Sequence, residues 1–454
     1  EIPTDWKTGI ICPIFKKGDS GIVSNYRGIS LLDTAYKILS MALLRRLEIY
    51  VEDILTEYQT GFRRGKSTTD HIFTIRQVME KFYEYNRDLH ILFVDFKQAY
   101  DSIDRDQLWT TLRNFGIPRK LVRLVEICNQ QTYCKVRFMG ETSEAFECKT
   151  GLRQGDALSP ILFNLALEQV IRDMHEKREM ELVGINTILA YADDLVILGS
   201  STNEIKTSAE KLFKASQNMG LTVNEEKTKY MVMSRQVTPK SNLKIDGYSF
   251  EQVREFKYLG VNINEENNMH EEIKIRLMMA NKSYYAMKDM FTSKLLSRRT
   301  KERLYITYLR PIATYACETW ASTKGDEAKL VIFERKILRR IYGPVFNVNL
   351  GVFERRKNED LQKLYNKPNI CKFLSSKRLE WAGHVWRAEG CLIRKVLDGM
   401  LNGKRPIGRP RQRWFDTVKK DLTRVDPTYN INLAVDRMHW RGIVEAALDL
   451  NGLF

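Results

Sequence analysis

Two adjacent carboxylates lie between two apolar, strand-like segments in the sequence LAYADDLVILG, residues 189–199. Neighbouring like charges beside a buried sheet repel each other and are costly to desolvate, unless a cation or water reaches them. A plain hairpin turn fits Asp193 and Asp194, because Asp is favoured in tight turns. A metal-binding hairpin tip fits as well, since Mg²⁺ prefers carboxylate oxygens and is usually held by one or two protein carboxylates. A carboxylate at the end of another strand would favour the metal site.

Asp95 supplies such a carboxylate. It ends the apolar, strand-like residues 91–94, and a segment compatible with a helix follows it. Two hydrophobic strands that each deliver an Asp at their ends can converge on a pair of metal ions. Two ions about 4 Å apart stabilise the attacking and the leaving oxygen of an in-line phosphoryl displacement. Together the two segments predict a two-metal site for phosphoryl transfer.

Three blocks resemble, in order and spacing, those of reverse transcriptases from non-LTR (LINE-type) retrotransposons: LFVDFKQAYD at 92–101, GLRQGDALSP at 151–160 and YADD at 191–194. The resemblance implies an α/β right-hand polymerase, with fingers, a palm with an antiparallel sheet and a helical thumb, plus a basic C-terminal helical or irregular region. It implies addition of dNTPs to the 3′-hydroxyl of a DNA primer on an RNA template. Asp95 and Asp193 would hold two Mg²⁺ ions, for which Mn²⁺ could substitute, and Asp194 would complete the site.

We expect four regions along the chain. They are the fingers (1–90, with residues returning from the palm insert), the palm with the catalytic blocks (91–265), the helical thumb (266–343) and a basic C-terminal nucleic-acid-binding region (344–454). Apolar residues at helical spacing predict individual helices as well. These helices cover residues 31–51, 71–85 and 161–176.

The resemblance also assigns residues to the incoming nucleotide. Lys16 and Arg27 lie in a predicted hairpin of the fingers and match cations that contact the triphosphate. Tyr100 matches an aromatic residue that lies beneath the sugar and excludes a 2′-hydroxyl by overlap. Gln154 and Gly155 match residues that contact the template and the nucleotide, and glycine lets the backbone approach a ligand closely.

Lys227 lies in GLTVNEEKTKY, residues 220–230, which resembles the next block of the family. It matches a lysine near the leaving pyrophosphate, where a cation could neutralise or protonate the leaving group. Simpler explanations remain open for three of these assignments. Arg27 could belong to a solvated basic loop, Tyr100 to the core, and Lys227 to an ordinary surface.

Two basic segments are candidates for nucleic-acid binding. QTGFRRGKSTTD at 59–70 combines glycines and hydroxyls with cations, which suits a loop that approaches phosphates; its candidates are Arg63, Arg64 and Lys66. GKRPIGRPRQRW at 403–414 interleaves cations with Pro, Gly and Trp, which suits backbone tracking and base stacking. Its candidates are Lys404, Arg405, Arg409, Arg411, Arg413 and Trp414. This second segment resembles the C-terminal region of the RTE-like lineage. Zinc binding by Cys371, His384 and Cys391 stays open, although a fourth ligand and the short C-x₂₋₄-C spacing are missing.

The composition fits a partner with a charged backbone. The 454 residues carry a formal net charge of +16 and give a pI of about 9.3, an electrostatic footprint for a polyanion; a merely basic soluble protein would share it. Seven dispersed cysteines argue against a disulfide framework and for a reducing compartment. No run of eighteen apolar residues suggests a membrane span. Because the sequence begins at Glu1 without Met, we expect an N-terminally truncated fragment of a polyprotein, with an endonuclease upstream and no ribonuclease H-like cluster after the thumb.

The expected partners are an RNA template, a DNA primer or target and dNTPs, with the element RNA bound as a ribonucleoprotein and no membrane. The expected location is the nucleus, with a cytoplasmic ribonucleoprotein stage. Two other interpretations remain. An intron-encoded maturase or a telomerase-like enzyme would use the same palm, and a catalytically inactive, domesticated relative would only bind nucleic acid.

Overall fold

The computed structural model of the chain describes residues 2–174, 184, 187–236, 239–401, 403, 405–406 and 411–449. The chain packs into two compact units. The first comprises Glu1–His71, Asp88–Val232 and Val237–Val253, and the second comprises Ile72–Arg87, Met233–Gln236 and Arg254–Phe454. Among the described residues, no helix is long and apolar enough to cross a membrane. The division into four regions made from the sequence remains a prediction.

The first unit contains two β-sheets. Its strands are β1 (Thr8–Phe15), β2 (Tyr26–Leu31), β3 (Leu89–Val94), β4 (Thr132–Phe138), β5 (Glu141–Thr142), β6 (Phe146–Cys148), β7 (Thr187–Tyr191), β8 (Asp194–Gly199), β9 (Lys229–Met233), β10 (Leu243–Ile245) and β11 (Tyr248–Gln252). One sheet has the order β2-β1-β4-β5, with β6 also paired to β4, and the other has the order β10-β11-β9-β3-β8-β7. In the second of these sheets, β8 is antiparallel to both β3 and β7.

The helices of this part of the chain include the three predicted ones. They are α1 (Thr34–Ile54), α2 (Thr68–Glu84), α3 (Ala99–Ser102), α4 (Arg105–Asn114), α5 (Arg119–Asn129), α6 (Ser159–Met174) and α7 (Thr202–Asn218). The predicted helices are confirmed as α1, α2 and α6, except that residues 175–176 of the third prediction lie outside the described residues. The chain passes from the first unit to the second within α2. α1 begins three residues later than predicted, because the Asp33 carboxylate accepts a hydrogen bond from the backbone N–H of Ala35 at 2.8 Å and caps the helix there.

The core of the first unit lies between its larger sheet and the helices. The inward residues of β3, β7 and β8 are apolar and buried, and α6 is buried along nearly its whole length. A strand that is buried on both faces needs a continuous apolar sequence rather than an alternating one. This explains why the segments before Asp95 and on both sides of Asp193 are uninterrupted apolar runs.

The second unit is mainly helical. Its elements are β12 (Glu255–Tyr258), β13 (Val261–Asn264), α8 (Met269–Ala286), α9 (Lys288–Thr292), α10 (Arg298–Leu304), α11 (Arg310–Ala313), α12 (Lys324–Tyr342), β14 (Val345–Asn347), β15 (Val352–Glu354), α13 (Asn358–Tyr365), α14 (Ile370–Arg387), α15 (Leu392–Asp398), α16 (Trp414–Val425) and α17 (Arg437–Asp449). Arg378 of α14 is fully buried, and its Nε lies 2.6 Å from Oδ2 of the buried Asp421 of α16. This ion pair joins the two helices inside the C-terminal part of the unit.

Candidate active site

A tight hairpin presents the two adjacent carboxylates. β7 and β8 pair up to Tyr191 and Asp194, so only Ala192 and Asp193 form the turn. Ala192 has a φ of 53°, in the left-handed region that residues with a Cβ rarely adopt. Such a residue costs on the order of 1–3 kcal/mol and persists only where its surroundings hold it. The residues that contact Ala192 therefore help to hold the hairpin turn in place.

β3 brings the third carboxylate to the same end of the sheet. Its last residue in register, Val94, lies opposite Leu195 of β8, so Asp95 follows at the level of Asp194. The backbone of Asp95 is fixed on its other side, because its C=O accepts from the backbone N–H of Asn224 at 2.8 Å and its N–H donates to Thr228 Oγ1 at 3.1 Å. The predicted convergence of the two strand ends is thus present in the structure.

Lys227 reaches this site through the segment that pairs with Asp95. Its Nζ lies 3.6 Å from Oδ2 of Asp95, and the lysine side chain is largely exposed. Phe96 forms an antiparallel bridge with Val223, which sets the segment in place. The exposed ammonium group of Lys227 therefore lies beside the Asp95 carboxylate, and its expected role at the leaving pyrophosphate remains a prediction.

The carboxylates affect each other electrostatically. Desolvation by the surrounding protein raises the pKa of Asp194 to about 6, and the charges of Asp193 and Asp95 act in the same direction. Desolvation, followed by the charge of Asp95, also raises the pKa of Asp193, whereas Arg27 and Lys227 oppose the rise. Like charges held this close disfavour ionisation unless a cation joins them.

The donor set suits a divalent cation. Three carboxylates stand at one end of the sheet, and Oδ2 of Asp95 is a buried oxygen without a hydrogen-bond partner, since Lys227 is too distant to donate to it. An unsatisfied buried oxygen is costly and is relieved by a cation. No three His, Cys, Asp or Glu side chains within the described part of the chain are drawn together as a complete ligand cluster. The types of side chain at this sheet end therefore fit a divalent cation.

Several nucleotide-binding candidates surround these carboxylates. Arg27 on β2 lowers the pKa of Asp193, and desolvation and then the Asp193 charge raise the pKa of the Tyr100 hydroxyl, so both side chains lie within electrostatic range of the hairpin tip. Tyr100 stacks on Phe163 with ring centroids 4.6 Å apart. The Tyr100 ring thus has a firm support below it while remaining half-buried beside the site.

Gln154 and Lys16 both act on Asp101. The amide Nε2 of Gln154 lies 3.3 Å from the Asp101 carboxylate, and the charge of Lys16 lowers the pKa of Asp101 against the raising effect of desolvation. Gly155 has a φ of 112°, and a Cβ there would lie 2.7 Å from the backbone oxygen of Ser30 on β2. This glycine is required for the close approach of its loop to β2. Nothing in the sequence indicates the contact between Asp101 and Gln154.

Gln59 and Gly61 support the hairpin tip, a role that sequence reasoning missed. Oε1 of the buried Gln59 accepts from the backbone N–H groups of Gly61 at 3.0 Å and of Ala192 at 3.2 Å. The backbone on either side of Gln59 exchanges hydrogen bonds with Ala190 in a parallel bridge. Asn164 of α6 donates to the Gly61 carbonyl at 2.7 Å. Gln59 therefore holds Ala192 in its left-handed conformation. Neither its residue type nor its position in the sequence predicted this role.

The cations of the same segment divide into paired and exposed ones. Arg63 is buried, forms an ion pair with Glu52 at 2.9 Å and donates to two backbone carbonyls. Lys66 forms an ion pair with Glu57 at 2.7 Å. Arg64 is exposed. As placed, Arg63 holds its own loop together, so its guanidinium is not available to a phosphate, whereas Arg64 is.

In the second basic segment, residues 403–414, the expectation that Trp414 stacks on bases is wrong. Trp414, a predicted base-stacking residue, is only 1% exposed. Its ring packs on Phe73 with centroids 4.7 Å apart, and its indole N–H donates to the Glu318 carbonyl at 2.7 Å. The backbone N–H of Trp414 donates to Glu80, a carboxyl whose pKa burial raises to about 7. Trp414 is therefore a core residue of the second unit and has no face to offer a base.

The arginines of this segment also have partners within the second unit. Arg413 and Arg405 both form ion pairs with Glu84 of α2. Arg411 lies over the ring of Tyr83 at 3.9 Å and donates to the Glu266 carbonyl at 2.7 Å. Lys404 and Arg409 lie outside the described residues. The three described arginines attach the segment to α2, and Arg405 and Arg411 keep exposed surface.

The cysteines and histidine considered for zinc show no metal-ligand arrangement in the described residues. Cys371 is buried, and its Sγ lies 3.7 Å from the Glu327 carbonyl. Cys391 precedes α15 as its N-cap residue.

Comparison with known proteins agrees with this geometry. A probable RNA-directed DNA polymerase from transposon BS of Drosophila melanogaster is 21% identical over 433 residues, which are 91% of this chain and 45% of that protein. The Pol polyprotein from the type-2 retrotransposable element R2DM of the same organism is 26% identical over 52% of this chain and 23% of its own length. An uncharacterized transposon-derived protein of Caenorhabditis elegans is 25% identical over 57% of this chain and 95% of its own length. The chain thus spans less than half of each of the two Drosophila relatives.

Among solved structures, an apo telomerase from Candida tropicalis is similar with a TM-score of 0.46 and 13% identity, covering 87% of this chain and 70% of that one. The family model described as reverse transcriptase (RNA-dependent DNA polymerase) matches residues 14–263, more than half of the chain. The family match and the retrotransposon relatives together confirm the resemblance inferred from the three blocks, and the family match confirms the right-hand polymerase fold class. The RTE-like lineage and the truncation remain predictions. This chain belongs to the reverse transcriptase (RNA-dependent DNA polymerase) family.

Proposed function

We propose that this chain is the RNA-directed DNA polymerase of a non-LTR retrotransposon. It extends the 3′-hydroxyl of a DNA primer with dNTPs on an RNA template. The observation that carries the proposal is the convergence of Asp95, Asp193 and Asp194 at one sheet end, with Lys227 at 3.6 Å from the Asp95 carboxylate. Two adjacent carboxylates in a plain turn would need neither the third carboxylate nor the cation.

Asp95 and Asp193 would hold two Mg²⁺ ions, or Mn²⁺ in their place, and Asp194 would complete the ligand set. When bound, the ions supply charge stabilisation to the attacking and leaving oxygens of the phosphoryl transfer. The buried Oδ2 of Asp95 and the raised pKa values of Asp193 and Asp194 support a bound cation, because both features are relieved by positive charge.

The other side chains of the site would bind and orient the nucleotide. Arg27 and Lys16 would hold the triphosphate through charge-assisted hydrogen bonds, which are stronger than neutral ones. Tyr100, supported by Phe163, would lie beneath the sugar and reject a 2′-hydroxyl. Lys227 is exposed beside the carboxylates, where it could neutralise charge that develops on the pyrophosphate.

Nucleic acid is the partner class that this proposal requires. The net charge of +16 supports binding to a phosphate backbone. The relatives are described as products of transposons and retrotransposable elements. An element RNA bound as a ribonucleoprotein, and a nuclear location with a cytoplasmic ribonucleoprotein stage, follow from the proposal as further expectations.

Primer extension tests the proposal. The intact chain is compared with Asp193→Asn, which keeps the side-chain shape and removes the charge, on an RNA template with a DNA primer, dNTPs and Mg²⁺. Asp246→Asn is the matched control, because Asp246 is exposed in the turn between β10 and β11. We expect extension by the intact chain and the control, and none by Asp193→Asn or without a divalent ion.

Binding of primer–template, measured in parallel, separates the remaining interpretations. Asp193→Asn should bind as well as the intact chain, because one carboxylate contributes little to backbone binding. If all three proteins bind and none extends, the chain is a catalytically inactive relative and the proposal is wrong. If Asp193→Asn extends the primer normally, the assignment of the metal site is wrong.

A further inference from the structure

A short hairpin in the second unit exposes apolar side chains to solvent. β14 and β15 pair so that Phe346 lies opposite Phe353, with ring centroids 5.1 Å apart. Phe353 is 71% exposed and Phe346 is 50% exposed. The turn and the flanking strand positions add further exposed apolar residues: Val345, Val348, Leu350 and Val352. Contiguous exposed apolar surface in a folded unit marks an interaction site more often than chance.

An open cavity with a basic lining lies beside the base of this hairpin. Its volume is about 880 Å³, and it is lined by α12, by the residues that follow β15 and by the first residues of α13. The cations of the lining are Arg335, Lys336, Arg339, Arg355, Arg356 and Lys357, and its acid is Glu359. Two of these cations have partners within the unit: Lys336 lies over the rings of Tyr284 and Tyr285, and the charge of Arg335 lowers the pKa of Glu334. The salt bridges of the described residues include none of the six cations, so the lining keeps a positive excess.

The positive charges that line the cavity repel each other. Desolvation, followed by the charges of Arg355 and Arg335, lowers the pKa of Arg339. Arg63, Arg378 and Arg413 elsewhere in the chain are each matched by a carboxylate. The lining has six cations against one acidic residue, Glu359, and such an excess of positive charge is stabilised by an anion from outside the unit.

The hairpin is fixed at its base rather than free. Nε of Arg356 donates to the Gly343 carbonyl at 3.0 Å and so links the two ends of the hairpin. Arg339 of α12 donates to the side chain of Asn358 at 2.6 Å. A two-stranded hairpin alone is marginally stable in water, so these bonds account for its persistence. They also hold the exposed rings next to the cations.

We propose that the β14–β15 hairpin and the basic cavity beside it form a binding site for single-stranded nucleic acid, separate from the polymerase site of the first unit. Cations track a phosphate backbone, and exposed aromatic rings stack on bases. Paired bases within a duplex present no free face to Phe353, so the combination of rings and cations favours an unpaired strand. The site goes beyond the proposed polymerase function and does not depend on it.

Fluorescence anisotropy with a labelled single-stranded oligonucleotide tests the site, using the full chain. Excess unlabelled primer–template, with the template fully paired except for the templating base, is present to occupy the polymerase site without filling a single-strand site. Phe353→Leu removes the aromatic face and keeps an apolar side chain, whereas Phe353→Tyr keeps the face. We expect Phe353→Leu to weaken binding by about 5- to 150-fold, which corresponds to the loss of one stacked base, and Phe353→Tyr to bind as the intact chain does. Met438→Leu, at another exposed apolar residue, is the control and should change nothing.

The salt dependence tests the cations separately. Each phosphate of a single strand that a cation neutralises adds about 0.7 to the slope of log K against log[salt], so the double variant Arg355→Ala, Lys357→Ala should reduce that slope by about 1.4. Arg441→Ala, an exposed arginine of α17 paired with Glu445, should leave the slope unchanged. Primer extension by all variants should stay at the intact level, because none of these residues lies in the catalytic site.

Each other outcome overturns the proposal. Unchanged affinity in Phe353→Leu and an unchanged slope in the double variant would remove the site. Equal weakening towards a blunt duplex would show a duplex-binding surface. Loss of a dimer on gel filtration, without loss of oligonucleotide binding, would show that the hairpin is a contact between copies of the chain. Measuring RNA and DNA oligonucleotides side by side distinguishes the two sources of the strand, and weakened binding to either supports the site.

Discussion

Gly61→Ala should damage catalysis through a contact with the catalytic hairpin. A Cβ at Gly61 would lie 2.5 Å from the backbone nitrogen of Ala192 and 3.0 Å from the carbonyl carbon of Tyr191. Ordinary contacts begin at 3.4 Å, so one of the two backbones must shift by about 0.9 Å. Because backbone atoms stand on both sides, no side-chain rotation can relieve the clash. The shift falls on the residue that immediately precedes Asp193.

The size of the effect follows from this displacement. Overpacking of a buried site costs typically about 1–3 kcal/mol, and a misplacement of about 1 Å in a catalytic geometry costs about 100-fold in rate. We therefore expect single-turnover primer extension to slow by about 10- to 100-fold, with a modest decrease in the melting temperature. Binding of primer–template should stay near the intact level, since the cations that contact the backbone are unchanged.

Two glycine variants serve as controls for Gly61→Ala. A Cβ at Gly442 in α17 would meet no atom within 4 Å, so alanine there should leave extension unchanged and stabilise the helix slightly. Gly65 also has open space but a φ of 74°, so Gly65→Ala measures backbone strain without a clash. Extension by Gly61→Ala within twofold of the intact rate would refute the supporting role of this loop. An equal loss in Gly65→Ala would show that general strain of the loop, rather than the contact with Ala192, is responsible.

Two further variants test the electrostatics of the site and the packing of the basic segment. The pKa of Asp194 is about 6 in the folded protein against an ordinary 3.8, so the folded state binds this proton more tightly and the stability of the metal-free protein should fall as pH rises from about 4 to about 6. Asp194→Asn should remove that dependence and raise the melting temperature at pH 7.5 in EDTA, while primer extension is lost. Trp414→Ala should lower the free energy of unfolding of the second unit by about 3–5 kcal/mol, measured by denaturant titration, because it leaves a cavity beside Phe73 and removes the hydrogen bond from the indole to the Glu318 carbonyl.

For Asp194→Asn and for Trp414→Ala, one outcome of the measurement would contradict the reasoning. A lower melting temperature for Asp194→Asn in EDTA would mean that its carboxylate makes a stabilising contact at pH 7.5, opposite in sign to the expected repulsion. Excess Mg²⁺ is the control, since a bound cation should remove the advantage of the variant. Weaker nucleic-acid binding by Trp414→Ala without loss of stability would restore the stacking role that burial argues against.

The strand ends that carry Asp95 and Asp193 are predictable from the sequence because the information is local. A strand buried on both faces must be continuously apolar, and an Asp that ends such a strand stands out against it, as Asp95 does. The spacing of the blocks then places Asp95 and Asp193 at one sheet end, which the register of β3 and β8 bears out. The helices α1, α2 and α6 were predictable for the same reason, since their apolar periodicity needs no knowledge of distant partners.

The contacts that Gln59 and Gly61 make with the β7–β8 hairpin could not be predicted, because neither composition nor local sequence pattern indicates them. Gln59 is a polar residue in a loop-like segment, and only the fold shows that its Oε1 accepts from Ala192, 133 residues away. The nearby Gly61 has an ordinary φ, so local turn chemistry gives no reason for it either. The reason is the approach of Ala192, which belongs to another part of the chain.

Prediction of nucleic-acid binding from charge is limited in the same way. Composition gives the number of cations but does not tell which of them form ion pairs within the protein. The segment at 403–414 has the density of cations expected of a nucleic-acid-binding tail, yet Arg413 pairs with Glu84, 329 residues earlier in the sequence. The cations around Arg355 attract less notice in the sequence, yet the fold gathers six of them around one cavity whose lining contains a single acidic residue, Glu359. Binding of a polyanion depends on charge that the protein has not already neutralised. The cavity beside the β14–β15 hairpin is therefore a basic surface that a nucleic acid could use, although its sequence attracts less notice than the segment at 403–414.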